Sequence, residues 1–366
     1  MEKRESHLYR ANLRGTPFEI ETQNGTIYHD SRGMYMVNRP DQKKKGLPKI
    51  FVIGDTHPAA YELALISVWK HGAESTNHYD RAGDPPSREA NVIVDIANPL
   101  KEPRIHKFIP GGYESLESYR QEVVDGIRDS WIQPGDTYWT YTYHERLENW
   151  NPSTNLNAPD RGLLLPRGVN QIEKLVNDLC RDITSKGAIA TTWMPTADPG
   201  LESNRPCLQN LWARAYEEED GGIGLNWNWL FRSRDVKAWF MNGWALINYV
   251  EEIGNRLSER LGKPVRLRRI SDESYSLHFY GKDQKEFEAR FKNFVSDKGF
   301  ERRIVETTDE TFSDVIEEER KKLAENPHYN KNIDSQIKLA ERIARDPNAS
   351  ERDKKFVRDF FPELFN

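Results

Sequence analysis

Leu225-Asn226-Trp227-Asn228-Trp229-Leu230-Phe231-Arg232-Ser233-Arg234-Asp235 is the stretch on which the reading of the fold turns. Leu225, Trp227, Trp229 and Phe231 alternate with Asn226 and Asn228, the period of two expected of a strand with one buried face. The strand ends in an arginine, a hydroxyl and a carboxylate, a set that can hold a phosphate and a polar ring edge. The same four residues, Arg232 to Asp235, also fit a turn closed by a helix cap. Beyond them Leu246, Tyr249, Val250, Ile253, Leu257 and Leu261 form one apolar row of a helix, stopped by Gly262 and Pro264. Asn242 stands, on this reading, just ahead of that helix.

Working outward, further strands are expected at Lys49–Gly54, at 92–96, at Ala188–Met194, at Leu211–Tyr216 and around Ser276–Tyr280. Helices are expected from Ala60 to His71, closed by Gly72, across Tyr113–Ile127, and from Asn170 to Asp182, where Ile172, Leu175, Val176 and Leu179 share a face. Alternation of such elements implies a large mixed β-sheet flanked by helices, an α+β fold of the three-layer α/β type. Residues 1–48 read as an N-terminal extension carrying a hairpin around Asn24-Gly25 and a Lys43-Lys44-Lys45-Gly46 linker. Residues 49–300 form the main domain. Residues 301–366 form a charged C-terminal extension with helices at Phe312–Glu325 and Ile333–Arg345. Tyr79 to Arg88 reads as a loop.

The chain has 366 residues, is 37% hydrophobic and 30% charged, and carries a net charge of -5 with a pI near 6.1. These values favour a soluble protein and argue against a membrane span or a long basic face for nucleic acid. A mononucleotide suits the charge balance better. The opening Met1-Glu2-Lys3-Arg4-Glu5-Ser6-His7 has no apolar stretch behind its charges, so we expect a cytoplasmic protein. Two cysteines cannot build a disulfide framework or an ordinary zinc site, so no metal is expected. Cys180 lies beside the apolar stripe of its helix and reads as a small core residue.

Cys207 differs, because it follows Pro206 and precedes a strand, where a side chain can face a cleft. On the strand Ser276-Leu277-His278-Phe279-Tyr280, period two places Tyr275, Leu277 and Phe279 on one face and His278 with Tyr280 on the other. An asparagine amide such as that of Asn242 offers a donor and an acceptor side by side, matching O4 and N3–H of uracil; alone it would serve as a helix cap.

The order Pro-Cys, Arg-Ser-x-Asp, Asn, then His-x-Tyr resembles the thymidylate synthase family, which includes pyrimidine nucleotide hydroxymethylases. Asn170-Gln171-Ile172 looks like that family's Asp-Gln-Ile helix start. Tyr141-Thr142-Tyr143-His144-Glu145-Arg146 is similar to its Tyr-Gly motif and closest to the shorter archaeal form. About residues 50 to 295 are covered.

The resemblance implies that Cys207 adds to C6 of a pyrimidine and that C5 then attacks the methylene of 5,10-methylenetetrahydrofolate. A thiolate is both a strong nucleophile and a good leaving group, and Arg232 beside it is expected to depress its pKa. By the same match Arg232 and Ser233 bind the nucleotide phosphate and Arg81 clamps it from a loop. Asp235 helps hold the folate, His278 and Tyr280 bind the sugar, and Asn242 reads the base. The family uses Asn for uracil and Asp for cytosine, so uracil is favoured. Glu122 is the expected general acid/base, with Glu117 as the fallback, and Tyr143 sits by the site's water. Family members are homodimers pairing through the back of the sheet, where Trp227 and Trp229 could contribute; an internal core suits them equally.

Several positions depart from the pattern. Ser185-Lys186-Gly187 stands where two phosphate arginines are usual, Phe231 replaces a glutamine and Leu208 a histidine. Asp84-Pro85-Pro86 follows Arg81 where small residues are usual. The step from Arg232 to Asn242 is one residue short, and no closing C-terminal tail is found. Phosphate binding would then be rebuilt, with Arg181 or the extensions as candidates. Three functions fit: methylation of dUMP to dTMP, hydroxymethylation of a uracil or cytosine nucleotide with water in place of hydride, or nucleotide binding without catalysis.

Overall fold

Gly25 and Gly33 each begin a strand of an antiparallel meander made of β1 (Phe18–Thr22), β2 (Gly25–Asp30) and β3 (Gly33–Asn38). The computed structural model describes residues 17–22, 25–38, 46–76, 83–129, 132, 140–150, 168–195, 197–201, 204–292 and 299–325, and isolated positions from 341 to 358. Arg81, the Lys43–Lys45 run and most of the helix expected at Ile333–Arg345 lie outside the described residues.

β3 pairs with β4 (Lys49–Gly54), so the N-terminal strands continue the main sheet. Helix α1 (His57–His71) follows at once. Thr56 caps it, its hydroxyl accepting from the Ala59 N–H, and Gly54 lets it close in, since a Cβ there would lie 2.6 Å from the Ala60 backbone. Next come β5 (Ala73–Ser75), β6 (Ser87–Ile96), β7 (Ile105–His106) and α2 (Gly112–Val124). Helix α3 (Tyr143–Glu148) and α4 (Gln171–Arg181) are capped by Thr142 and Asn170. They lead to β8 (Ile189–Thr191), β9 (Leu208–Glu217), β10 (Ile223–Phe231), β11 (Arg234–Asp235), α5 (Val236–Leu261) and β12 (Val265–Phe279). A short β13 (Ile304–Val305) pairs with β7, and a further helix spans Glu310–Glu325.

Eleven strands among the described residues form one mixed sheet in the order β1-β2-β3-β4-β6-β12-β10-β9-β8, with β5 beside β6 and β11 beside β12. β4–β6, β10–β12 and β11–β12 are parallel; the other pairs are antiparallel. α1 packs on β3, β4 and β6, α5 on β12, and α2 and α4 on α5. The mixed sheet flanked by helices is therefore the expected fold class. Trp227 and Trp229 are 0% and 2% exposed, so they belong to the core and not to an outer face. No helix of the described residues is long and apolar enough to cross a membrane.

Some boundaries move. β6 begins five residues before the expected strand, and β9 begins at Leu208, directly after Cys207. The strand expected over Ala188–Met194 shrinks to Ile189–Thr191, because Met194 N–H turns to the Asp198 carboxylate, 2.6 Å away. The β12–β6 register slips between Ser274 and Leu277, so Tyr275 is half exposed and does not share the buried face of Leu277 and Phe279.

Glu62 of α1 is a buried hub. It accepts from Arg32 Nη1 at 2.7 Å and from Arg303 Nε and Nη2 at 2.5 and 2.7 Å, and it lies 2.8 Å from His106 Nε2. One carboxylate thus ties the N-terminal meander and the chain beyond β12 to the centre.

Candidate functional site

The backbone around Cys207 is held by side chains from two directions. Arg232, just past the end of β10, donates from Nε to Pro206 O at 2.9 Å and from Nη2 to Arg205 O at 3.0 Å, while its own N–H reaches Cys207 O at 2.8 Å. From the other side Tyr143, the first residue of α3, accepts from the Leu208 N–H at 3.1 Å, and Tyr141 donates to Arg205 O at 3.5 Å. The thiol therefore sits on a braced turn at the entrance to β9. Burial pushes its pKa up; Arg232 and then Arg234 pull it down without cancelling that rise. The lowering expected of Arg232 is present, but burial of the thiol outweighs it, and the Arg232 guanidinium is partly spent on carbonyls.

Tyr119, Glu122, Tyr141, Tyr143 and Asn204 line a cavity of about 260 Å³ next to this turn. The hydroxyls of Tyr119, Tyr141 and Tyr143 all stay protonated far into the alkaline range, chiefly through burial, and an ionised Cys207 would hold their protons more firmly still. Glu122, in the last turn of α2, is paired with buried Arg128. Burial still raises its pKa, because Arg128 offsets only part of that cost and Asp129 adds to it. A carboxyl held toward its protonated form inside a cavity is suited to giving and taking a proton. The fallback, Glu117, is occupied elsewhere: it pairs with Arg120 at 2.9 Å and with Arg320 of the Glu310–Glu325 helix at 3.1 Å.

Asn242 is not ahead of the helix. Asp235 caps α5 by accepting from the Lys237 N–H at 2.9 Å, so the helix starts at Val236 and Asn242 lies six residues inside it. The cap reading of Arg232–Asp235 is thus realised by Asp235. From that place the Asn242 amide donates to the Tyr119 hydroxyl at 2.7 Å, which links α5 to the cavity.

Asp235 also stands opposite His278 in the β11–β12 pairing. Burial raises the carboxyl's pKa against the Lys237 N–H and His278, and burial lowers that of His278 against Asp235. His278 Nδ1 lies 3.3 Å from Ser276, and its Nε2 is buried without a hydrogen-bond partner among the described residues. Tyr280 meets the imidazole edge-on at 4.6 Å between ring centres. Ser233 is partly buried between Arg232 and Arg234. Arg234 itself turns inward, pairs with Asp272 and lies over the Phe231 ring at 4.0 Å. Arg181 is exposed and pairs with Asp178 at 2.6 Å, while Ser185 and Lys186 give their carbonyls to Arg214 and Trp212.

Tyr119, Tyr141, Arg128 and Asn204 carry no assignment in the sequence reading. Tyr119 was within reach, since it precedes Glu122 by three residues and must share its helix face. Arg128 and Asn204 left no such trace. A second cavity, of about 320 Å³, lies among Tyr61, Phe108, Phe279, Phe287 and Lys237 and has no thiol in its lining. No cluster of three metal-ligating side chains is present among the described residues.

No protein-family model matches the chain. Among curated proteins it is 28% identical over 225 residues to a protein of Methanosarcina acetivorans described as "Putative thymidylate synthase", covering 61% of this chain and 86% of that one. A protein of the same description from Methanopyrus kandleri is 30% identical over 166 residues, 43% of this chain and 69% of the relative. The one from Methanococcoides burtonii is 26% identical over 234 residues, 64% and 90%. Among solved structures, thermostable thymidylate synthase A from Bacillus subtilis aligns over 63% of this chain and 81% of its own, at 15% identity and a TM-score of 0.42.

Proposed function

Because the chain belongs to the thymidylate synthase family, in its archaeal form, we propose that it transfers a one-carbon unit to C5 of a pyrimidine nucleotide through a bond between Cys207 and C6. The observation that carries the reading is the hydrogen bond from the Leu208 N–H, next to Cys207, to Tyr143, which lines one cavity with Glu122 and so joins three separate segments.

As the Cys207 thiolate bonds to C6, the electrons of the C5–C6 double bond move toward O4 and C5 becomes nucleophilic. Arg232 favours the thiolate from beside it. 5,10-Methylenetetrahydrofolate supplies the carbon as co-substrate, and Asp235 is the residue that the family pattern assigns to it. Glu122 takes the C5 proton, a task its raised pKa suits. Release of the thiolate restores the ring. The unpartnered Nε2 of His278, with Tyr280, fits a sugar hydroxyl. Ser233 and Arg232, joined by Arg81 from its loop, would take the phosphate. Asn242 favours uracil, so dUMP to dTMP is the preferred reaction. Hydroxymethylation, with water replacing hydride at the last step, is the alternative. The same kinship supports a cytoplasmic homodimer.

Incubation with dUMP, dCMP, UMP or CMP and methylenetetrahydrofolate, followed by mass spectrometry of the nucleotide, tests this. A methyl gain on dUMP supports the preferred reaction and a hydroxymethyl gain the alternative. Unchanged nucleotides, with no tritium lost from C5, would reduce the protein to a nucleotide binder.

A further inference from the structure

Charge must be accommodated at O4 when sulfur bonds to C6, and the residue beside the nucleophile offers nothing for it: Leu208 is apolar and 0% exposed. The geometry points to Tyr119 as the hydrogen-bond donor to that oxygen, with Asn242 setting the direction of its hydroxyl. This rests on the reaction proposed above.

Tyr119 lines the cavity together with Glu122, one turn further along the same face of α2, and lies close enough to Cys207, Tyr143 and Glu122 that ionisation of any of them would oppose its own. Asn242 Nδ2 donates to its oxygen at 2.7 Å. A phenol that accepts in this way has its own hydrogen pointing elsewhere, and no described residue accepts it. Burial keeps the phenol protonated, so it is a donor at any pH at which the enzyme works. The polarity therefore runs from amide to phenol to substrate, and hydrogen bonds in such a chain strengthen one another. In the step itself the S–C6 bond forms, the C5–C6 π pair shifts onto the O4 carbonyl, and Tyr119 hydrogen-bonds the charged oxygen without losing its proton. The C5 proton leaves later, to Glu122. A fixed donor aimed where charge develops stabilises the transition state more than the bound substrate.

Tyr119→Phe removes only the hydroxyl. Two quantities are read on the full chain: the dissociation constant of dUMP by calorimetry, and release of tritium from C5-labelled dUMP with methylenetetrahydrofolate present. The expected result is release slowed about a hundredfold, with the dissociation constant within about threefold of the parent value. Unchanged release, or a loss carried wholly by weaker dUMP binding, overturns the assignment. If the parent protein turns over and Tyr119→Phe equals it, Tyr119 alone is wrong. If the parent releases no tritium from any labelled pyrimidine nucleotide, the proposed reaction falls and Tyr119's role falls with it.

Discussion

The hydroxyl of Tyr143 accepts a hydrogen bond from the backbone N–H of Leu208, 3.1 Å away, and so fixes the peptide that follows Cys207. Tyr143→Phe leaves that buried N–H without an acceptor, at a cost of roughly 1–3 kcal/mol. We expect a lower melting temperature and a turnover rate reduced more than nucleotide affinity, checked by thermal unfolding and steady-state kinetics. Equal loss in both kinetic quantities would place Tyr143 in substrate binding instead.

Glu122 and Glu117 are separated by the same kind of experiment. Glu122→Gln is predicted to cut turnover by about 10²–10⁴ while dUMP still binds. Glu117→Gln breaks the pairs with Arg120 and Arg320 and lowers the melting temperature with turnover nearly intact. The reverse pattern would reassign the acid/base to Glu117.

Burial outweighs Arg232 and Arg234 at Cys207, so the free protein's thiol ionises above the ordinary thiol range. Its alkylation rate, followed by peptide mass spectrometry, should still be climbing at the pH where an exposed cysteine has levelled off. Removing a nearby cation disfavours the thiolate, so Arg232→Gln should move the midpoint higher still. A midpoint below that of free cysteine would show the thiol to be more open than the structure has it.

Much of the fold and part of the site were legible in the sequence, for identifiable reasons. β10 and α5 carry unbroken periods of two and 3.6, and their buried faces are the ones the sequence marks. Asn242 was misplaced because its helix starts at a cap, Asp235, that carries no apolar periodicity. The Tyr275 face failed at a register slip, which a strict period of two cannot express. Convergence of Tyr119 on Asn242 and the wrapping of Arg32, His106 and Arg303 about Glu62 join segments more than a hundred residues apart in several cases, and local spacing holds no record of them.

Burial pushes Glu62 upward, but Arg303, His106 and Arg32 outweigh it and hold the carboxyl at about 2, against 4.5 for an ordinary glutamate. A lowered folded pKa stabilises the protein above the unfolded value, and that contribution fades as pH falls from near 4.5 toward 2. Glu62→Gln should therefore lower the melting temperature strongly at pH 7, by breaking a buried charge network worth about 3–5 kcal/mol. The gap to the parent should close on acidification. A gap that stays constant from pH 7 to pH 3 would mean the network is not ionised.

Whether Cys207 bonds to C6 of a pyrimidine nucleotide is read from the release of tritium from C5-labelled dUMP by Cys207→Ser. With methylenetetrahydrofolate present, we expect steady release by the parent protein, none by the variant, and equal affinity of both for dUMP. Release by the serine variant at the parent rate would contradict it.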